Sequence, residues 1–220
     1  MTISPVAVFH SPIGDKFGVP RQAGLAPALH GEVRFLPPYD APEAVRGLEG
    51  FDYCWLIWGF SLNDPSDNKL TVRPPRLGGN RRVGVFASRS PFRPNGLGLS
   101  CVKIESVEEG ILHVSGADLA DGTPVYDVKP YVEYADSRPG VRSGFVDSNG
   151  WEPLEVEIPD DIARLFDDEQ LAALGQLLAQ DPRPQYQDDS ERVYGLLYQG
   201  RNVRFRVDDG KVYVLTADFY

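Results

Sequence analysis

Apolar and polar positions alternate in short runs along the first two thirds of the chain. VAVFHSP, GEVRFLP, DYCWLIWGFS, RVGVFASRS, LSCVKIESVEE, ILHVSGADL and VYDVKPYVEY are rich in Val, Ile, Tyr, Phe and Trp, and Gly, Pro, Asn and Asp separate them. That is the period and punctuation of β-strands. GEVRFLP and LSCVKIESV alternate in and out, whereas CWLIWGF is apolar on both faces, as a central strand would be. Glu108–Gly110 between two alternating runs predicts a hairpin turn. PEAVRGLEGF predicts one short helix, with Pro42 in its first turn and Gly47 and Gly50 limiting it. Many short strands with almost no helix predict a closed or nearly closed β-barrel.

The pattern changes after a polar, turn-rich stretch around DSRPGVRSGFVDSNGWE. Asp160–Asp161 and Asp167–Asp168 are acidic helix starts. Leu165, Phe166, Leu171, Leu174, Leu177 and Leu178 then recur at helical spacing. RVYGLLYQ, NVRFRVDD and KVYVLTADF follow as three strands, the last two joined by Asp209–Gly210. The expected architecture is mainly β: a small β-barrel domain over residues 1–138, a linker at 139–150, and a small α+β domain over 151–220.

Charge adds a second division. The 220-residue chain carries net charge -10, yet Asn68 to Ile104 holds eight Lys and Arg and no Asp or Glu. Six of the eight fall in VRPPRLGGNRRVGVFASRSPFRPNGLGLS, Val72 to Ser100, among many Gly, Pro and Asn residues. Arginines spaced by turn residues suit a rigid, exposed, anion-facing surface better than a core. From Trp151 onward there are 15 acidic and 7 basic residues, so most negative charge lies away from the basic segment. Cys54 and Cys101 sit in apolar runs and read as buried thiols, which suits a reducing cytoplasm. The start has neither the charge nor the apolar run of a secretory signal, and no stretch approaches the ~20 apolar residues of a membrane span.

The chemistry-bearing residues group in a few segments. Asp118, Asp121 and Asp127 lie within ten residues, and Asp121–Gly122–Thr123–Pro124 reads as a turn feeding a strand. Carboxylates there can accept from ribose hydroxyls or an amine, act as a base, or serve only as turn residues. Arg89 and Arg93 are boxed by Ser88, Ser90, Pro91, Pro94 and Asn95, a pattern that fixes a loop whose donors suit carboxylate, phosphate or purine. Phe86 and Phe92 interleave with these arginines. Phe86, inside an apolar strand pattern, is expected to pack inward. The glycines do not form GxGxxG before a helix, Ser88, Ser90 and Ser100 lack a neighbouring His, and His10, His30 and His113 are scattered without zinc-ligand spacing. His10 and His30 read as strand-end residues, and no metal is expected.

Four segments, FGVPRQAGL, the basic stretch from Val72 to Ser100, DLADGTPVYDVKPYVEYAD and AQDPRPQY, resemble the YaeB/TsaA-like (TrmO-like) family. The motifs are long and the likeness spans nearly the whole chain. This family methylates N6 of threonylcarbamoyladenosine at tRNA position 37. The resemblance implies a non-Rossmann β-barrel methyltransferase that uses S-adenosyl-L-methionine (SAM), a homodimer with the SAM site near the subunit interface, and a small C-terminal α+β domain. Carried over by motif, Ala23, Gly24, Leu25, Ser61, Leu62, Arg89, Leu99, Asp118, Leu119, Ala120, Asp121 and Gly122 are expected to border SAM. Arg73, Arg76, Arg81, Arg82 and Arg93 remain for the phosphates of the tRNA anticodon stem-loop.

The chain departs from the family pattern at Asp52–Tyr53–Cys54–Trp55, where Ser-His-Leu-Trp is common. It departs again at Phe60–Ser61, where Phe-His is common, and at Asn95–Gly96–Leu97–Gly98, where the second residue is usually Pro. Gly96 is expected to loosen a loop that the family stiffens. Methylating N6 also removes a proton, for which Asp121 or Asp127 is the candidate acceptor. The favoured role for Asp121 is contact with SAM, which leaves the base unassigned. A methyltransferase on another RNA or small molecule, or a non-catalytic SAM- or nucleotide-binding barrel, also fits the residues.

Overall fold

The computed structural model describes residues 2–63, 69–74, 77, 81–150, 152–183 and 189–220. Its strands are β1 Ala7–His10, β2 His30–Phe35, β3 Tyr53–Gly59, β4 Thr71–Val72, β5 Val83–Gly84, β6 Leu97–Glu108, β7 Ile111–Ser115, β8 Thr123–Pro130, β9 Glu155–Glu157, β10 Tyr194–Tyr198, β11 Arg201–Asp208 and β12 Lys211–Phe219. Helices are few: single turns at α1 Pro42–Val45, α2 Glu133–Asp136 and α3 Asp160–Ala163, and the longer α4 Asp168–Ala179.

Strands β1-β2-β7-β6-β3-β8 close into an antiparallel barrel, with Ala7 opposite both Phe35 of β2 and Val125 of β8. The alternation read along the chain becomes the inside of this barrel. Phe9, Val33, Cys54, Leu56, Trp58, Val102, Leu112, Val114 and Val125 fill it. Register shifts at Ile57/Trp58 and Ile104/Ser106 mark irregularities of the kind that bend strands around a closed sheet. Two turns show why particular residue pairs end strands. Glu109–Gly110 and Asp209–Gly210 both have positive φ at both positions, the geometry of a two-residue hairpin. The helix expected over PEAVRGLEGF stops after one turn, because Gly47 adopts φ 91; a 3-10 turn, Leu48–Gly50, follows.

CWLIWGF is β3, between β6 and β8. Its outward residues are covered in part by the segment after β8: Trp55 packs against Tyr131 with ring centroids 5.9 Å apart and planes tilted by 46°, and donates its indole N–H to Asp136. Cys54 and Cys101 are free thiols. Cys54 is buried, and burial pushes it up to about 12, so it stays protonated and inert; Cys101 is only partly covered.

The second sheet runs β10-β11-β12-β9, with β9 parallel to β12. Helix α4 packs on it through Ala173, Leu174, Leu177 and Leu178. Asp167 caps α4 in a reciprocal box with Gln170, which fulfils the acidic start read from the sequence. The core under α4 also contains Ile13, Ala26 and Leu29 from the connection between β1 and β2. That connection leaves the barrel, touches β10 through an isolated bridge between Ile13 and Tyr198, and returns.

Candidate functional site

The loop after β7 and the connection between β1 and β2 meet at the end of the barrel. Gly24 donates its N–H to the carbonyl of Gly116 at 2.7 Å, and Gly116 donates to Leu29. Gly116 has φ +73, a backbone conformation that side-chain-bearing residues rarely adopt, so this crossing favours a glycine. The contact brings Ala23 beside Asp118, whose carboxylate accepts the Ala23 N–H and the Ser100 hydroxyl. Ser100, on the inner face of β6, in turn accepts the indole N–H of Trp58 at 2.9 Å. Arg89 lies near enough to act electrostatically on Asp118 and donates to the side chain of Gln22. Burial pushes the Asp118 carboxyl above the usual aspartate range, against the opposing pull of Ser100, two backbone N–H groups and Arg89.

The next residues turn back over β1. Leu119 and Ala120 are buried; Asp121 donates its N–H to Ile13 and Gly122 donates to Phe9. The Asp121 carboxylate accepts from Ser11 N–H at 3.1 Å and lies 3.2 Å from His10 Nδ1. His10 does end a strand, as expected, and it stands beside the candidate carboxylate. A carboxylate that orients an imidazole is a pair able to accept a proton. Asp127 sits elsewhere, exposed on the outer face of β8, 3.8 Å from Lys129 Nζ. The structure therefore brings Asp118 and Asp121 together on one loop and leaves Asp127 apart from them.

At the exit of β3, Phe60 N–H donates to Gly96 C=O at 2.8 Å, tying Ser61 and Leu62 to the loop that precedes β6. Leu62 is exposed, and Leu99, opposite Ile57 on the outer face of the β3–β6 pair, is 60% exposed. Gly96 has φ +57. Proline, held near -65°, cannot adopt that conformation. The expectation of a merely loosened loop is therefore corrected: this loop takes a turn that a proline at position 96 would not permit.

The basic segment divides by what its arginines do. Arg73, Arg81 and Arg82 are exposed around the short β4–β5 ribbon, and Arg82 donates to Thr71 Oγ1. Arg93 donates to the carbonyls of Ser88 and Val85 and so braces the loop that carries Arg89. Arg76 lies outside the described residues, as do Gly78, Gly79 and Pro184 to Tyr186 of the fourth motif. Phe86 was expected to pack inward and does not. It is 76% exposed, because the 3-10 turn Val85–Ala87 breaks the strand alternation and gives the buried place to Val85. Arg93 lies 5.7 Å from its ring centroid and Lys69 lies 4.2 Å from that of Phe92, so two cations accompany the two aromatics.

Sequence reasoning missed Trp58, Ser100, His10 and Gln22 as members of this cluster. For Trp58 and Ser100 a signal existed. Both fall on the inward phase of their alternating strands, where a serine and an indole N–H each need a partner. For His10 and Gln22 there was none, since their partners lie 111 and 67 positions away.

Known proteins resemble this chain in sequence and fold. The family model for the tRNA-methyltransferase O N-terminal domain matches residues 8–137, and that for the TrmO C-terminal domain matches residues 152–218. A tRNA (adenine(37)-N6)-methyltransferase of Escherichia coli is 39% identical over 221 residues, covering 93% of this chain and 92% of that protein. A human protein of the same name is 39% identical over 147 residues, 66% of this chain and 33% of that one. The crystal structure of TrmO from P. aeruginosa superposes with TM-score 0.82 at 34% identity, covering 100% of this chain and 97% of that chain.

Proposed function

The chain belongs to the TrmO family of tRNA methyltransferases, and on that premise we propose that it transfers a methyl group from SAM to N6 of the adenosine at position 37 of tRNA, with threonylcarbamoyladenosine as the acceptor. The observation that carries the reading is the convergence of Asp118, Arg89 and the Ala23–Leu25 backbone on one end of the barrel.

The residues present fit SAM. Gly24 and Gly122 have φ +81 and +74 and open space where a side chain would project, so a ligand can approach their backbone closely. Asp118 and Arg89 offer one carboxylate and one guanidinium within electrostatic reach of each other, the complement of an α-amino-acid group with its ammonium and carboxylate. When bound, SAM supplies an electrophilic methyl on a sulfonium. Ala23, Gly24, Leu25, Ser61, Leu62, Leu99 and the Asp118–Gly122 turn are assigned to its surround, and Arg89 to its carboxylate. Positioning of the acceptor nitrogen against the methyl then supplies much of the rate. Asp121 is assigned to the SAM side of the site, where it also orients His10.

The β4–β5 ribbon with Arg73, Arg81 and Arg82 is assigned to anticodon-stem phosphates. Arg93 joins them only at the edge of the Arg89 loop. An overall charge of -10 repels RNA, but screening over ~8–10 Å lets a local basic patch prevail. Residues 1–138 are assigned to catalysis and 151–220 to a supporting domain. A homodimer is part of the proposal, with the exposed Leu99 and Leu62 covered by a second copy. So is a cytoplasmic location, which suits free thiols and a tRNA substrate. Among the described residues no helix is long and apolar enough to cross a membrane.

The test is incubation with labelled SAM and tRNA with and without the threonylcarbamoyl group. Transfer to modified tRNA alone is expected. SAM binding without transfer to any RNA would overturn the proposal and leave a methyltransferase of another substrate or a binding barrel.

A further inference from the structure

The loop assigned to SAM is held from two sides. On the barrel side Arg89 holds the Gln22 side chain, Asp118 accepts from Ala23 N–H, and Gly116 accepts from Gly24 N–H. On the other side the partners come from the end of α4 and the residues after it. Gln180 Nε2 donates to the Leu25 carbonyl at 3.2 Å, and Gln176 Oε1 accepts the Ala28 N–H at 2.8 Å. Arg21 Nη2 donates to the Asp181 carbonyl at 2.8 Å.

These contacts are built into the C-terminal structure. Gln180 is only 8% exposed and is the C-cap residue of α4, so its amide is fixed by the helix end. Asp181 takes φ +48, a conformation uncommon for a residue other than glycine, and its carboxylate is clamped by Arg183 Nε at 2.8 Å and Nη2 at 3.0 Å. Beneath the polar contacts, Ala26 and Leu29 are buried in one core with Leu174, Leu177 and Leu178. Residues 21–28 thus run between two supports: residues 22 to 24 are tied to the barrel side, and Arg21, Leu25 and Ala28 to α4 and the residues after it.

We infer that the C-terminal α4 and its C-cap are a positioning element of the SAM site, with Gln180 and Gln176 as positioning residues that set the Leu25–Ala28 backbone. This rests on the assignment of Ala23–Leu25 to SAM. A loop whose conformation includes Gly24 at φ +81 is not held by local preference alone, and the side chain of Gln180 supplies a partner that the barrel does not. The C-terminal part therefore acts on the donor side of the site through this loop.

The experiment uses the full chain and Gln180→Met, which keeps side-chain length and helix propensity but removes the donor. Kd for SAM is measured by equilibrium dialysis well below the Tm, together with the Tm and the KM for tRNA. Asp168→Asn, exposed in the first turn of the same helix, is the control. The expected result is SAM binding weakened on the order of threefold to tenfold, the scale of one lost hydrogen bond, with an unchanged KM for tRNA. Wild-type SAM affinity in Gln180→Met, whatever its Tm, overturns the inference and leaves a purely structural role. A wild-type chain that does not bind SAM overturns the assignment itself, and this inference with it. If Gln180→Met does not fold, Gln176→Met, which withdraws the acceptor from Ala28 N–H, is read in the same way.

Discussion

Trp58 of β3 donates its indole N–H to Ser100 of β6 across the inside of the barrel, and the Ser100 hydroxyl donates a hydrogen bond to the Asp118 carboxylate. The indole reaches Ser100 by lying over Gly98, where a Cβ would come within 2.3 Å of Trp58 Cε2. Gly98→Ala should therefore displace the indole and cost about 1–3 kcal/mol, as overpacking of a core does. Gly96→Ala has open space around it and meets only the backbone penalty of positive φ, about 1–2 kcal/mol. Denaturant unfolding of both variants checks the magnitudes. The sharper measure is SAM affinity, which Gly98→Ala should lower through the displaced Ser100 and Asp118.

Asp118 carries a pH dependence with a definite sign. Burial raises its folded-state pKa, so the folded chain holds this proton more tightly than the unfolded chain. Its contribution to stability is therefore most favourable at acid pH and is lost as pH rises from the ordinary aspartate range through the raised value. Binding of a cationic group runs the other way, since it requires the ionised form. SAM affinity should fall on acidification at a pH above the ordinary aspartate range. Asp118→Asn should flatten that profile, bind SAM weakly at every pH, and be no less stable than wild type near neutrality. A titration of Kd against pH, with parallel melting curves, tests each part.

The two other carboxylates should separate cleanly. Asp121 holds Ser11 N–H and His10, so Asp121→Asn should weaken SAM binding and slow turnover together. Asp127 faces outward beside Lys129, and Asp127→Asn should leave single-turnover rates within about twofold of wild type, as surface changes usually do. A normal SAM Kd in Asp121→Asn would remove Asp121 from the SAM site.

RNA binding should respond to Arg73, Arg82 and Phe86. Arg73→Ala and Arg82→Ala should weaken tRNA binding and lower the salt slope by about one unit per lost phosphate contact. Phe86→Ala removes an exposed ring, and stacking of a base on it is worth about 1–3 kcal/mol. Its SAM affinity should stay at the wild-type level. Binding isotherms at two salt concentrations give both readings. Arg93→Ala should behave differently and reduce SAM affinity too, because Arg93 braces the Arg89 loop.

Much of the fold was legible because alternation is a local property. The inward residues of β6 are the alternate apolar positions of LSCVKIESV, CWLIWGF was legible as a strand from its apolar run, and the acidic start at Asp167 became the cap of α4. Phe86 was misread for the same reason: one 3-10 turn shifts the phase, and nothing local announces it. The site was legible only as separate motifs. FGVPRQAGL and AQDPRPQY stand far apart in the chain, yet Arg21 and Asp181 meet at 2.8 Å.

The sequence by itself determined the strands, the acidic helix starts and the basic segment, because periodicity, capping and charge act over a few residues, and its motifs resembled one family. Only the tertiary structure decided that Asp118 is the buried carboxylate and Asp121 the one beside His10, that Asp127 faces outward, and that α4 supports the loop at Leu25. Those outcomes depend on barrel closure and on a connection that leaves the barrel to join a second core, and such contacts form between residues whose separation along the chain carries no local signature.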